Sequence, residues 1–408
     1  SAQKKLLNGR QALLEYFVGD SSIFLFALRP DAILVREVKK DFPLKKWVND
    51  LREGLYLPYV NDTAKIDKAA GAAQYARAAH ALYVKLFEPV RDFLAGYREL
   101  VIVPDGELGY LPFDVLLTEA AQNPESHRTH RYLMQKHRIS LAYSATLLRD
   151  MRDKQHTRAP AKSFLGVAPS FPGGVPDSAM LASRGLPVRL YQNRPGRLFQ
   201  NQAEVAAIQA ELGGTALTGP DATEAQFMQQ AGDYRILHLS THGEADDEAG
   251  DYSYLAFTEQ DDSLENEFLF NRELYNLRLN ADLVVLSACK TGVGELKRGE
   301  GVISLTRGFA YAGAKSIVTS LWAVEETPTK MLMEQFYGNL KAGMSKDSAL
   351  LEAKRAMLQS NYPEPFYWAA FVPVGDMAPV PADAYFRWWW LLAGSSVVFL
   401  LVWWRRRK

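Results

Sequence analysis

Two stretches decide the fold: Tyr234-Arg-Ile-Leu-His-Leu-Ser-Thr241, which runs into His242-Gly243, and Asp282-Leu-Val-Val-Leu-Ser-Ala288, which runs into Cys289-Lys-Thr-Gly292. Each is a short apolar run closed by a reactive residue and a glycine. Continuous apolar runs of this length are what a parallel sheet covered on both faces requires. In such a sheet ligands bind beyond the carboxyl ends of the strands, so both runs end at one edge. Neighbouring strands stand about 4.8 Å apart, and side chains from two such ends can reach one cleft.

Outward from these runs the pattern stays regular. Helices are expected near 202–212, 223–231, 302–312, 328–341 and 346–359, and strands at 235–240, 283–288 and 316–321. Strands alternating with helices indicate an α/β chain with a largely parallel sheet. The first section is also α/β. Ser22-Ile-Phe-Leu-Phe-Ala-Leu28 and Ala32-Ile-Leu-Val35, broken by Arg29-Pro30-Asp31, read as a hairpin. Residues 63–97 suit helices, and Glu99-Leu-Val-Ile-Val103 reads as a buried strand before a turn. The organisation expected is an N-terminal α/β half over 1–150, a connection over 151–200, and a second half over 201–376. The connection is rich in Pro, Gly and Arg, with a short strand at Phe164-Leu-Gly-Val-Ala168. A linker at 377–387, an apolar segment at 388–404 and a basic tail at 405–408 complete it.

Composition narrows the function. The 48% apolar and 23% charged residues fit a folded globular chain. Lys+Arg and Asp+Glu are equal at 47 each, so no global field draws the protein to nucleic acid, and no nucleic-acid partner is expected. A single cysteine excludes an intrachain disulfide and a thiolate zinc cluster. His238 and His242 lack the intervening glutamate and third ligand of a helical zinc site, so no metal is expected and His238 reads as buried and hydrogen-bonded. The glycines at 292, 294, 299 and 301 form no phosphate loop, and no cofactor is expected.

Residues 388–404 read WWWLLAGSSVVFLLVWW, preceded by Arg387 and followed by Arg405, Arg406, Arg407 and Lys408. As a helix these 17 residues reach roughly 25 Å, close to the ~30 Å hydrocarbon core, with Trp and basic anchors at the ends. The segment is therefore expected to hold the protein in a membrane as a single span, in a bacterial cell membrane with the tail cytoplasmic by the positive-inside rule. The chain starts at Ser1 with no charged-then-apolar leader, as processing or trimming would leave it.

A thiolate is a strong nucleophile, and a nearby imidazole both raises its population and returns the proton to a leaving amine. His242 and Cys289 are the pair that could do this. Spacing alone leaves a second reading open, in which Cys289 is a core residue at a strand end and His242 a loop histidine. Gly243, lacking a β-carbon, allows backbone amides close to a substrate carbonyl. The amides of Gly243 and Cys289 are the expected oxyanion hole.

The stretches His238-Leu-Ser-Thr-His-Gly243 and Leu283-Val-Val-Leu-Ser-Ala-Cys-Lys-Thr-Gly292 together resemble the CHAT-domain proteases, relatives of caspases and separase. The resemblance continues in order through Val103-Pro-Asp-Gly106, Leu111-Pro-Phe-Asp114, Tyr143-Ser-Ala-Thr-Leu147, the segment 299–309, Ala312-Gly-Ala314, Ser320-Leu-Trp-Ala-Val324 and Phe336-Tyr337, covering about residues 80–375. It implies a caspase-like α/β/α sandwich with a Cys–His dyad, here Cys289 and His242, preceded by a degenerate protease-like half. It also implies a protein substrate. An upstream or separate activator protein is a further expected partner, because a cleft of this kind can need one to assemble. In separase-like relatives an acidic residue after the Trp-containing strand binds a basic substrate side chain. Here that segment is Trp322-Ala-Val-Glu-Glu326, which makes Glu326, with Glu325 and Trp322 beside it, the candidate substrate contacts. An exposed acid at a helix start is the other reading of Glu326, since Thr327 and Pro328 follow. The acidic run from Glu244 to Asp251 is open between a solvated loop and attraction of a basic substrate. A catalytically silent scaffold of the same fold that binds protein partners is the alternative from another class.

Overall fold

A computed structural model of the protein describes residues 6–60, 67–171, 198, 200–246, 248–258, 268–288, 291–297 and 301–381. Cys289, Lys290, residues 172–197 and 199 of the 151–200 connection, and the 388–404 segment lie outside the described residues. Among the described residues no helix is long and apolar enough to cross a membrane.

The strands in chain order are β1 (Gln11–Val18), β2 (Ser22–Leu28), β3 (Ile33–Lys39), β4 (Glu99–Val103), β5 (Arg138–Leu141), β6 (Lys162–Pro169), β7 (Thr215–Gly219) and β8 (Tyr234–Ser240). There follow β9 (Gly243–Glu244), β10 (Tyr254–Ala256), β11 (Phe268–Phe270), β12 (Leu283–Ser287), β13 (Glu295–Lys297), β14 (Gly301–Ile303), β15 (Ser316–Ser320) and β16 (Phe371–Gly375). Eleven form one sheet in the order β3-β2-β1-β4-β5-β16-β15-β12-β8-β6-β7. β1, β4 and β5 are parallel to one another, as are β15, β12, β8, β6 and β7. β16 closes the gap: it runs antiparallel to β15, Ser316 opposite Gly375 and Ser320 opposite Phe371, and meets β5 with Val374 opposite Leu141. The last strand among the described residues thus stitches the two halves into one sheet. The strand expected inside the 151–200 connection is β6, an interior strand between β7 and β8.

The longer helices are α1 (Leu44–Val60), α2 (Lys68–Leu86), α3 (Ala145–Asp153), α4 (Asn201–Leu212), α5 (Glu224–Gln230), α6 (Leu305–Ala312), α7 (Glu326–Lys341) and α8 (Lys346–Gln359). Side chains alternate across β12: Leu283 and Val285 join a core with α1, α2, α7 and α8, while Val284 and Leu286 join one with Phe227 of α5 and Phe309 of α6. The first core is continuous from Leu14 of β1 to Leu340 of α7, so both halves share it. A buried ion pair, Lys354 of α8 with Asp114, crosses between them. Where α1 crosses α2 the backbones come close: a β-carbon at Gly54 would stand 2.7 Å from the Gly71 carbonyl oxygen. Two expectations change here. The helix foreseen over 302–312 begins at Leu305, because Gly301–Ile303 pairs with Glu295–Lys297 and Ser304 is extended. Helix α1 went unforeseen, although Leu44, Val48, Leu51 and Leu55 carry its buried stripe.

The N-terminal half also carries a pH-dependent element. Burial, with His130 nearby, lowers the His127 imidazole to about 4, and burial lowers His130 and His137 as well. An unfolded chain takes up these protons near pH 6.5, whereas the fold keeps His127 neutral until about pH 4. The stability this contributes is full above pH 6.5 and lost as pH falls toward 4, on the order of 2–3 kcal/mol for His127 alone. Urea midpoints should therefore drop from pH 7 to pH 5, and by less in His127→Leu. Equal drops in the two proteins would refute it.

Candidate active site

Strand β8 is buried from Ile236 to Ser240 because it lies inside the sheet, between β12 and β6. Its parallel ladder with β12 ends on Ser240 opposite Ser287. Two residues past that rung comes His242, 8% exposed, its ring 4.8 Å from the Phe171 ring. The loop is tied down on its far side: the Ala256 amide donates to the His242 carbonyl at 2.9 Å, and the Thr241 hydroxyl donates to the Ala256 carbonyl at 2.5 Å. Gly243 stands opposite Leu255 in the β9–β10 pair. Because antiparallel rungs alternate, the bond at His242–Ala256 makes Gly243–Leu255 a rung whose amides turn away from the partner strand. The Gly243 N–H is not spent on β10.

His242, Ser287, Ala288 and Glu326 line one cleft together with Glu204 and Asn201 of α4. Glu326 opens helix α7, is half-buried, and accepts a hydrogen bond from the Gln200 amide. Glu325, one residue earlier, is exposed and stands outside the cleft lining. Trp322 is 3% exposed and its indole N–H donates to the Phe366 carbonyl at 3.1 Å, so it packs in the core and is not part of that lining. The fold therefore brings His242, Gly243 and Glu326 to one edge and turns Trp322 and Glu325 elsewhere. Cys289 is one residue beyond the buried Ala288, which lines the cleft.

Sequence reading did not foresee Glu204. It is 2% exposed, with Oε1 2.9 Å from His238 Nε2 and Oε2 accepting from the Ser240 hydroxyl at 3.2 Å. The other His238 nitrogen is 3.1 Å from the Tyr337 hydroxyl. This fully partnered network anchors α4 and α7 to the strand that carries His242. Asn201 adds a second tie, donating to the carbonyls of Pro169 and Ser240 at 2.8 and 3.3 Å.

Residues 76–376 match the CHAT domain. The chain belongs to the CHAT-domain family. Over 335 residues it is 26% identical to tetratricopeptide repeat protein 28 of Mus musculus and 24% identical to that of Homo sapiens, covering 72% of this chain in each case. It spans only 13% of the length of these curated relatives. The crystallised Saccharomyces cerevisiae separase–securin complex contains a chain of similar fold, with a TM-score of 0.54 at 9% identity over 92% of this chain and 31% of that one.

In this CHAT domain the acidic run after Gly243 builds its own turn. Asp246 accepts from the amides of Glu248 and Ala249 at 3.0 and 2.9 Å, and the Tyr275 hydroxyl donates to Asp251 at 3.1 Å. Asp247 lies outside the described residues. Among the described residues no three His, Cys, Asp or Glu side chains cluster as a metal site.

Proposed function

We propose that this CHAT-domain chain is a cysteine endopeptidase that cleaves a protein substrate, with Cys289 as nucleophile and His242 as its base. His242 takes the thiol proton and the thiolate attacks the scissile carbonyl carbon. The amides of Gly243 and Cys289 hold the oxyanion that forms, and the imidazolium protonates the leaving amine. Water, deprotonated by His242, then releases the acyl group. The observation that supports this is the β8–β12 register: His242 and Cys289 are each two residues beyond the same rung, Ser240 opposite Ser287. Glu326, in the cleft with His242, is the carboxylate that would bind an Arg or Lys before the scissile bond. A fluorogenic peptide library incubated with wild type and Cys289→Ala tests chemistry and preference together.

A second reading, a silent scaffold that binds protein partners or waits for an activator, draws on the names of the curated relatives, which are tetratricopeptide repeat proteins. It expects no cleavage by either protein.

The apolar 388–404 stretch, with tryptophans at both ends and four basic residues after it, supports a membrane anchor with the tail on the cytoplasmic side. Val397→Arg combined with Leu401→Asp places charges mid-segment at a cost of about 5–6 kcal/mol, and should move the full chain from the carbonate-resistant membrane pellet to the supernatant. An unchanged pellet fraction would reject the anchor.

A further inference from the structure

The β12–β15 ladder has two rungs, Val284 opposite Ile317 and Val285 opposite Val318. On its other side β12 stays paired with β8 as far as Ser287. Past Val318 side-chain hydroxyls take over the joining of β15 to β12. The Ser320 hydroxyl donates to the Ala288 carbonyl, the residue just before Cys289. On the far side of Lys290, Thr291 Oγ1 lies 2.9 Å from Thr319 Oγ1 and accepts from the Ser320 amide at 3.3 Å. From α6, Thr306 Oγ1 is 3.1 Å from the Thr291 carbonyl and 2.9 Å from Thr319 Oγ1. The Gly292 amide donates to the Ser320 carbonyl at 2.8 Å, and a β-carbon on Gly292 would stand 2.9 Å from the Thr319 methyl.

All four hydroxyl residues are at most 1% exposed. Valine or alanine would fill these sites without burying a group that must find a partner. What the hydroxyls add is direction, since hydrogen bonds hold a backbone at defined angles where apolar packing allows sliding. The atoms they hold flank the two residues 289 and 290 on both sides. The N-terminal half is tied to the same assembly: the Tyr143 hydroxyl lies 3.0 Å from Ser304 Oγ, and Ser304 is the N-cap of α6 whose side chain makes no capping bond.

We propose that Thr291, Ser320 and Thr306 are positioning residues that set the Cys289 thiol against the His242 imidazole, with Tyr143 bracing them from the N-terminal half. This rests on the peptidase reading. Because Cys289 is the chain's one cysteine, iodoacetamide alkylation followed across pH reports on that thiol alone. In Thr291→Val the inflection of the alkylation profile should move up toward about 8.5, the value of an isolated thiol. The kcat for peptide cleavage should fall roughly 10- to 100-fold, with KM little changed. Thr291→Ser, which keeps the hydroxyl, should retain both properties. Ser320→Ala should behave as Thr291→Val does and decides the matter if the valine variant fails to melt cooperatively. Wild-type profiles and kcat in the folded variants overturn the proposal, and so does an equal loss in Thr291→Ser, which would assign the effect to the methyl group. A wild-type thiol that already inflects near 8.5, in a protein that cleaves nothing, overturns the peptidase reading and this proposal together.

Discussion

Cys289→Ala is expected to lower peptide cleavage by about 10⁴-fold or more, to background, while leaving the fold intact. The size follows from the chemistry. No other thiol exists in the chain to form the acyl-enzyme, and what remains is binding and the oxyanion donors, which accelerate a water reaction far more slowly. Stability should hardly move, because the exchange removes a single heavy atom, about 1 kcal/mol at most if it is buried. His242→Gln should lose about 10³-fold or more, since both proton transfers depend on the imidazole. Its side chain touches Phe171, so a small drop in melting temperature accompanies that loss. The two variants should be no worse in combination than the poorer one alone, because each removes the same step. Wild-type rates in Cys289→Ala would end the assignment.

Glu326→Gln should cut kcat/KM for peptides with Arg or Lys before the scissile bond by roughly 30- to 1000-fold, equivalent to about 2–4 kcal/mol for a partly desolvated charge pair. Peptides with a neutral residue there should lose little. Glutamine keeps a carbonyl for the Gln200 amide, so the start of α7 stays as it is and the thiol should alkylate at the wild-type rate. The other carboxylate of the cleft, Glu204, is already engaged by His238 and Ser240. Glu325, exposed and outside the cleft lining, is the control: Glu325→Gln should change the same substrates by less than about threefold. Unchanged discrimination in Glu326→Gln would remove that carboxylate from the substrate pocket.

Much of the scaffold was legible because burial on two faces writes itself into sequence. Leu283–Ser287 and Ser316–Ser320 are buried throughout, and α7 and α8 carry their buried residues at helical spacing. The short pieces were harder. Arg138–Leu141 is only four residues long, and Gly301–Ile303 is a strand only because Glu295–Lys297 lies beside it. Phe371–Gly375 reads as any apolar run, and its place between β5 and β15 comes from contacts with residues far from it in the chain.

The same division runs through the site. Residue types and strand ends pointed to His242, Gly243 and Cys289 while leaving a second reading open, and it was the family resemblance that chose the dyad and supplied Glu326. Tertiary structure alone decided that Glu204, 34 residues from His238, braces the strand beneath His242, that Phe171 packs on its ring, and that Trp322 turns into the core. It also decided that hydroxyls from β15 and α6 grip the backbone on either side of Cys289. The physical reason is that a strand end depends on local apolar pattern, whereas a hydrogen bond between elements depends on register and packing, which no stretch of the chain carries by itself.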